Sequence, residues 1–277
     1  MLKRLNVLVS YGRLGSKCAT VLRPDWDVFL DSGAFTNFRA GREVVTLEAY
    51  AGFLMDYGAK FWRYLSLDRI GDPEGCDRNL AALRARGLVP VPVFQRGMAV
   101  AKLTAMAKES DMVAIGGIAG ALRRSGTPEY TANVMGAARQ LGTKAHLLGV
   151  GNLATLTAVR PYSADSSDFS MGNRYASVKV WDPKTRDFVA VHRTMKLTRS
   201  VVALLHTYDA TPKDIATWEW WTGNLRFRGA MRVSAWSTFR FMEHLARLGV
   251  RFFIALNTSD VLIMQDLWND YVTARAA

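Results

Sequence analysis

Short apolar runs recur along this chain with helical patterns between them, and three of the runs end in aspartate. They are VFLDSGAF at Asp31, YLSLD at Asp68, and YSADSSD at Asp165 and Asp168. Two more strand-like ends, VAIGGIAG and HLLGVGN, carry glycines and fall between the second and third acidic ends. A half-buried carboxylate is costly unless it is hydrogen-bonded or serves chemistry. Acids that close successive buried strands meet on one face when the strands run parallel, and a parallel barrel gathers such ends at its C-terminal rim.

The β-branched runs predict strands at 5–11, 27–31, 61–68, 89–95, 112–116, 144–149, 162–166 and 251–256. Amphipathic stretches lie between them. TLEAYAGFLMDYG has Thr46 as its N-cap and DRNLAALRARG is closed by Gly87, while MAVAKLTAMAKES, TPEYTANVMGAARQLG and LATLTAVR continue the alternation. Strands interleaved with helices in this way predict an α/β fold, a (β/α)8 TIM-like barrel rather than an open doubly wound sheet. The alternation breaks once, between the seventh and eighth strands. There a hairpin (ASVKVWDPKTRDFVAVH) and helices form an insertion of roughly 173–250, expected on the catalytic rim. No low-complexity segment or flexible linker divides the chain, so one domain over 1–277 is expected.

The formal charge of +12 exceeds what solubility requires and points to a polyanionic partner. No apolar run reaches the roughly 18 residues of a membrane span. The N-terminal MLKRLNVLVSYGRLGSK has charges on both sides of its apolar stretch and reads as a first strand, not a cleaved signal peptide. Cys18 and Cys76 are too few for a disulfide framework or a four-thiolate zinc site, so a reducing, cytoplasmic setting is expected.

Taken singly, each candidate residue has a plain structural alternative. Asp31 precedes Gly33, which allows close backbone approach, and Phe35, which can offer a ring to a planar group; the alternative is an aspartate that caps the next turn. Asp68 has the same alternative, with Asp72 as a competing candidate. Gly116 and Gly117 either form a strand-to-helix turn or present backbone groups to a ligand edge. The stretch 218–251 carries Trp218, Trp220, Trp221, Phe227, Trp236, Arg240 and Arg247, which suit either splayed bases or a packed amphipathic helix. Arg123, Arg124, Arg174, Arg226, Arg228 and Arg232 are the candidate phosphate contacts. His146, His192, His206 and His244 lack metal-ligand spacing and read as structural or surface residues.

Together, DSGAF, SLD, VFQRG, GGI, HLLGVG and SADS stand in the order seen in tRNA-guanine transglycosylases. LDRIGDPEGCDRN and PVPVFQ resemble still more the phage and bacterial DNA-modifying relatives, the DpdA-type transglycosylases. The resemblance spans roughly residues 27–175. It implies exchange of a guanine for a 7-deazaguanine such as preQ0 through a covalent aspartyl-glycosyl intermediate, with DNA ahead of tRNA as the polymer. By resemblance the nucleophile is Asp165, which a small residue follows, or Asp168, to which an ungapped count from Gly151 leads. Asp31 is then the general acid/base. Asp68 and Gln95 hold the base edge with Ser32, Gly33, Gly116 and Gly117, and Phe35 and Leu148 sandwich the ring. No redox cofactor or metal is implied: the tRNA enzymes' zinc site has no counterpart, because no CxC or CxxC occurs. The family's second glycine and the Gln after its aromatic residue are Ala34 and Thr36 here. Partner proteins that open the duplex fit this picture, as does a host cytoplasm for a phage-encoded chain. Alternatives are a catalytically idle nucleic-acid-binding barrel and an unrelated barrel enzyme acting on a small phosphorylated substrate.

Overall fold

The computed structural model describes residues 2–118, 126–167, 169, 176–222, 229–257 and 260–276. Contacts divide the chain into two compact units, Lys3–Ser166 with Leu248–Thr258, and Ser167–Arg247 with Ser259–Ala277 and Met1–Leu2.

The first unit is an α/β fold around eight parallel strands. These are β1 (Leu5–Ser10), β2 (Trp26–Asp31), β3 (Arg63–Tyr64), β4 (Val93–Gln95), β5 (Met112–Gly116), β6 (Lys144–Leu147), β7 (Ser163–Ser166) and, after the second unit's hairpin β8 (Ser177–Asp182) and β9 (Asp187–His192), β10 (Arg251–Leu256). Their order in the sheet is β3-β2-β1-β10-β7-β6-β5-β4. Each expected strand contributes one member. Two, β3 and β4, are less than half the expected length. The regular strand β3 ends at Tyr64, and beyond it an isolated parallel bridge joins Leu65 to Val91. In 89–95, Pro90 and Pro92 have no N–H to give a ladder, so the regular strand begins at Val93.

Because the strands are parallel, all their C-terminal ends lie along one edge. Period-two alternation then decides what stands there. Leu8, Phe29, Leu65, Val91, Val93, Met112, Ala114 and Phe253 form one buried cluster. On each strand the residue two positions further on faces the same way: Ser10 after Leu8, Asp31 after Phe29, Gln95 after Val93 and Gly116 after Ala114. The polar site is thus the layer directly above an apolar layer.

Helices follow the strands as the sequence predicts. Thr46 caps Leu47–Tyr57, its hydroxyl accepting from the Ala49 N–H at 3.2 Å. Asp72 is a cap as well, accepting from the Gly75 N–H at 2.8 Å at the start of Pro73–Ala85. One oxygen of its carboxylate thus serves as a helix cap.

In the second unit the hairpin packs on the helix Ala230–Arg247. The Ser237 hydroxyl accepts from the Trp181 N–H (2.6 Å) and donates to the Lys179 carbonyl (2.9 Å). Trp220, Trp221, Trp236 and Phe239 are all buried, and Phe239 packs edge-on against Trp268. Trp220, Trp221 and Trp236 are thus core rather than a base-stacking surface, while Trp218 is exposed and Phe227 lies outside the described residues. Among the described residues, no helix is long and apolar enough to cross a membrane.

Candidate active site

Asp31 ends β2, in register with Ser10 of β1. The Ser10 hydroxyl and the Gly33 N–H hydrogen-bond its carboxylate, and Arg13 adds a favourable charge. Burial nevertheless dominates and, with the Asp165 charge, raises the Asp31 pKa above the usual carboxylate range. Gly33 has φ 93°, and a Cβ there would lie 2.4 Å from the Gly12 backbone, so the turns after β1 and β2 touch main chain to main chain. This contact needs glycine. Ser32 is fully buried, and its hydroxyl has no hydrogen-bond partner among the described residues.

Asp68 sits beyond β3 in a loop held by the following helix. Asn79 donates to the Leu67 carbonyl at 2.7 Å, and the Arg69 N–H meets the Cys76 sulfur at 3.1 Å. The DPEGCDRN run is thus a bracket for Asp68: a cap, then two helix side chains that grip the backbone on either side of it. The Gln95 amide donates to the Asp68 carboxylate. Burial first, and the Asp31 charge second, push the Asp68 pKa up to about 7. Gly116 stands in register with Gln95, and a Cβ at Gly116 would come within 3.0 Å of the Gln95 amide oxygen. Gly117, at φ 76°, turns the chain away.

Asp165 is buried in β7. Its Oδ1 accepts from the Gly149 N–H at 2.8 Å and lies 3.2 Å from His146 Nε2. His146, on β6, is fully buried and in register with Ser163, whose hydroxyl is 2.8 Å from His146 Nδ1. Sequence reasoning placed His146 among structural or surface residues. The available signal was alternation: His146 is two residues before Leu148, and Ser163 two before Asp165, each on the site-facing side of its strand.

Leu148 is half-buried against the apolar layer. Phe35 is 56% exposed and stacks on the equally exposed Phe38, with ring centroids 6.4 Å apart and Arg39 over the Phe35 ring. Beside them a cleft of about 280 Å³ is lined by Asn37, Phe38, Arg42 and Arg69 and reaches Asp68. Arg232, a candidate phosphate contact, is paired within the protein. Its guanidinium is held by Asp209 (2.6 Å) and Asp270 (3.1 Å) and lies over Trp236, so two carboxylates already neutralise it. Asp168, Arg123, Arg124, Arg174, Arg226 and Arg228 lie outside the described residues. Among the described residues no cluster of three or more His, Cys, Asp or Glu could hold a metal ion.

This arrangement offers a hydrogen-bonded carboxylate at Asp165 and two further carboxyls, Asp31 and Asp68, able to keep a proton closer to neutral pH than a free aspartate. A nucleophile, a proton carrier and a reader of donor edges are therefore all available in one place.

No family model matches the chain, and no curated protein does. Among solved structures, one described as "PaMucR Phosphodiesterase, c-di-GMP complex" is similar at 16% identity and a TM-score of 0.33, over 53% of this chain and 62% of that one. The chain thus spans less than two thirds of that structure's length, and at this score the likeness does not bear on function.

Proposed function

We propose that this protein is a guanine transglycosylase that exchanges guanine in DNA for a 7-deazaguanine, and that its parallel sheet closes into a (β/α)8 barrel. Support for closure comes from the Leu65–Val91 bridge, with Ser66 N–H donating to the Val91 carbonyl and Val91 N–H to the Tyr64 carbonyl, both at about the length of a ladder bond (2.9 and 2.8 Å).

One observation carries the reading. Asp31, Asp68 and Asp165, from three separate strand ends, are near enough for Asp31 to feel Asp165 and for Asp68 to feel Asp31, and Gln95 is bonded to Asp68. In the proposed reaction an Asp165 oxygen attacks C1′ as the C1′–N9 bond breaks, and the electron pair leaves with the purine. Protonated Asp31 donates its proton to the departing base. The incoming 7-deazaguanine then returns a proton from N9 to Asp31 while N9 attacks C1′, which restores the Asp165 carboxylate. Asp68 accepts from N1–H and the 2-amino group, donors that adenine does not present as a pair, and the wrong base leaves the buried carboxylate with Gln95 as its side-chain donor and no donor from the base. A base inside a duplex cannot reach such a site, so single-stranded or flipped substrate is required.

The test is trapping. Protein incubated with guanine-containing single-stranded DNA should give a protein–DNA adduct on a denaturing gel, discharged by preQ0 and absent in Asp165→Ala. An adduct with tRNA alone would move the polymer to RNA. No adduct with either would reject the transglycosylase reading.

A further inference from the structure

The buried histidine beside the nucleophile has a part that the exchange chemistry alone does not assign. We infer that His146, held by Ser163, is a positioning residue that fixes Asp165 through one oxygen as a neutral Nε2–H donor and so makes the other oxygen the nucleophile. The inference rests on the transglycosylase reading given above.

Three observations lead there. Ser163 Oγ, His146 and Asp165 Oδ1 form a continuous line across two neighbouring strands, with contacts of 2.8 and 3.2 Å. The His146 ring is fully buried between aromatic edges, with Phe29 at 4.7 Å and Phe253 at 6.1 Å between ring centroids. The Gly149 N–H binds the same Asp165 oxygen at 2.8 Å.

For a neutral ring, hydrogen-bond bookkeeping selects the tautomer. An ionised carboxylate only accepts, so the proton facing Asp165 sits on Nε2, and Nδ1 accepts from the Ser163 hydroxyl. With a neutral ring this gives both ring nitrogens a partner, Nε2–H toward Asp165 and Nδ1 toward Ser163. Asp165 is the titratable group in direct contact with the ring, and the Asp165 charge is felt in turn by Asp31.

The catalytic consequence follows from where the two donors point. When Oδ2 bonds to C1′, Oδ1 becomes the ester carbonyl oxygen and stays hydrogen-bonded to His146 and Gly149. When the incoming base breaks the C1′–Oδ2 bond, the electron pair returns to the carboxylate and the same two donors stabilise the returning charge. The pair therefore lowers the barrier to discharge without adding a positive charge that would hold the carboxylate back as a nucleophile.

The experiment combines side-chain ¹⁵N NMR of the intact protein with single-turnover adduct kinetics. The His146 resonances, assigned by their loss in His146→Gln, should show the Nε2–H tautomer, and Asp165→Asn should perturb them. His146→Leu should slow both adduct formation and its discharge by about 100-fold with little change in DNA affinity. His146→Gln, whose amide can still donate, should recover most of that loss. A cationic or Nδ1–H ring, or a His146→Leu protein that folds and turns over at the wild-type rate, would overturn the assignment. If His146→Leu does not fold, Ser163→Ala takes its place, with an expected loss of the single tautomer and a slower discharge; an unchanged tautomer and rate would count against the relay. A wild-type protein that forms no adduct rejects the transglycosylase reading, and the role of His146 with it, whichever tautomer is found.

Discussion

The Asp68 carboxyl shows how one residue joins stability to function. Burial and the neighbouring Asp31 charge raise its pKa from 3.8 to about 7, so the folded protein holds a proton there that the unfolded chain releases. Between about pH 4 and pH 7 the native state binds more protons than the unfolded state, so this group's stabilising contribution is full below pH 4 and is lost as pH rises through 7. Above pH 7 the fold carries a buried charge held by Gln95, at a cost on the order of a few kcal/mol. Asp68→Asn keeps an oxygen to accept from Gln95 and removes the charge. It should raise the melting temperature at pH 8, leave it nearly unchanged at pH 4, and abolish recognition of guanine. Denaturation curves at the two pH values decide this; equal effects at both would mean that the carboxyl is not perturbed. Asp31 follows the same sign, since its pKa is also raised, and the fold should therefore be more stable in mild acid than its many carboxylates alone suggest.

At the scale of elements, the rim of the sheet depends on how closely turns approach one another. The turn after β2 starts at Gly33, in a left-handed conformation and with no room for a side chain against Gly12. Gly33→Ala should cost about 2–4 kcal/mol and weaken substrate binding, because Asp31 and Ser32 precede the strained residue directly. A urea titration that finds less than about 0.5 kcal/mol would show that the turns simply separate. This contact explains why some of the site was legible in the sequence and some was not. Strand runs, helix caps such as Thr46 and acids at strand ends are local patterns, and each of the eight strands lies where its apolar run predicts. Asp31, Asp68 and Asp165 are legible for that reason. The Leu65–Val91 bridge, the crossing of Gly12 with Gly33 and the pairing of His146 with Asp165 join residues far apart in the chain, and no local pattern encodes them. His146 shows this most plainly: alternation gives its side, but only the register of β6 with β7 brings it to the carboxylate.

For the whole molecule, the proposed nucleic-acid substrate would meet the formal charge of +12 through the arginines not committed to acids. Several are committed to acids, as Arg232 is to Asp209 and Asp270 and Arg251 to Asp27. Near the candidate site, Arg39 lies over the exposed Phe35, and Arg42 lines the cleft that reaches Asp68. An exposed aromatic pair with arginines beside it is the equipment of a single-strand platform, where bases stack and phosphates are neutralised. The two contributions separate by salt. If about four phosphates are engaged, affinity for single-stranded DNA should fall about 50-fold between 50 and 200 mM salt. Replacing Arg39 and Arg42 together by alanine should lower the log–log slope by about 1.4, two phosphates' worth. Phe38→Ala should instead lower affinity by about 1–3 kcal/mol at every salt concentration and leave the slope unchanged, because stacking releases no counterions. Fluorescence anisotropy across a salt series measures all three. A slope that the arginine pair does not alter, with an affinity that Phe38→Ala does not alter, would remove the platform and leave the excess charge to act elsewhere on the surface.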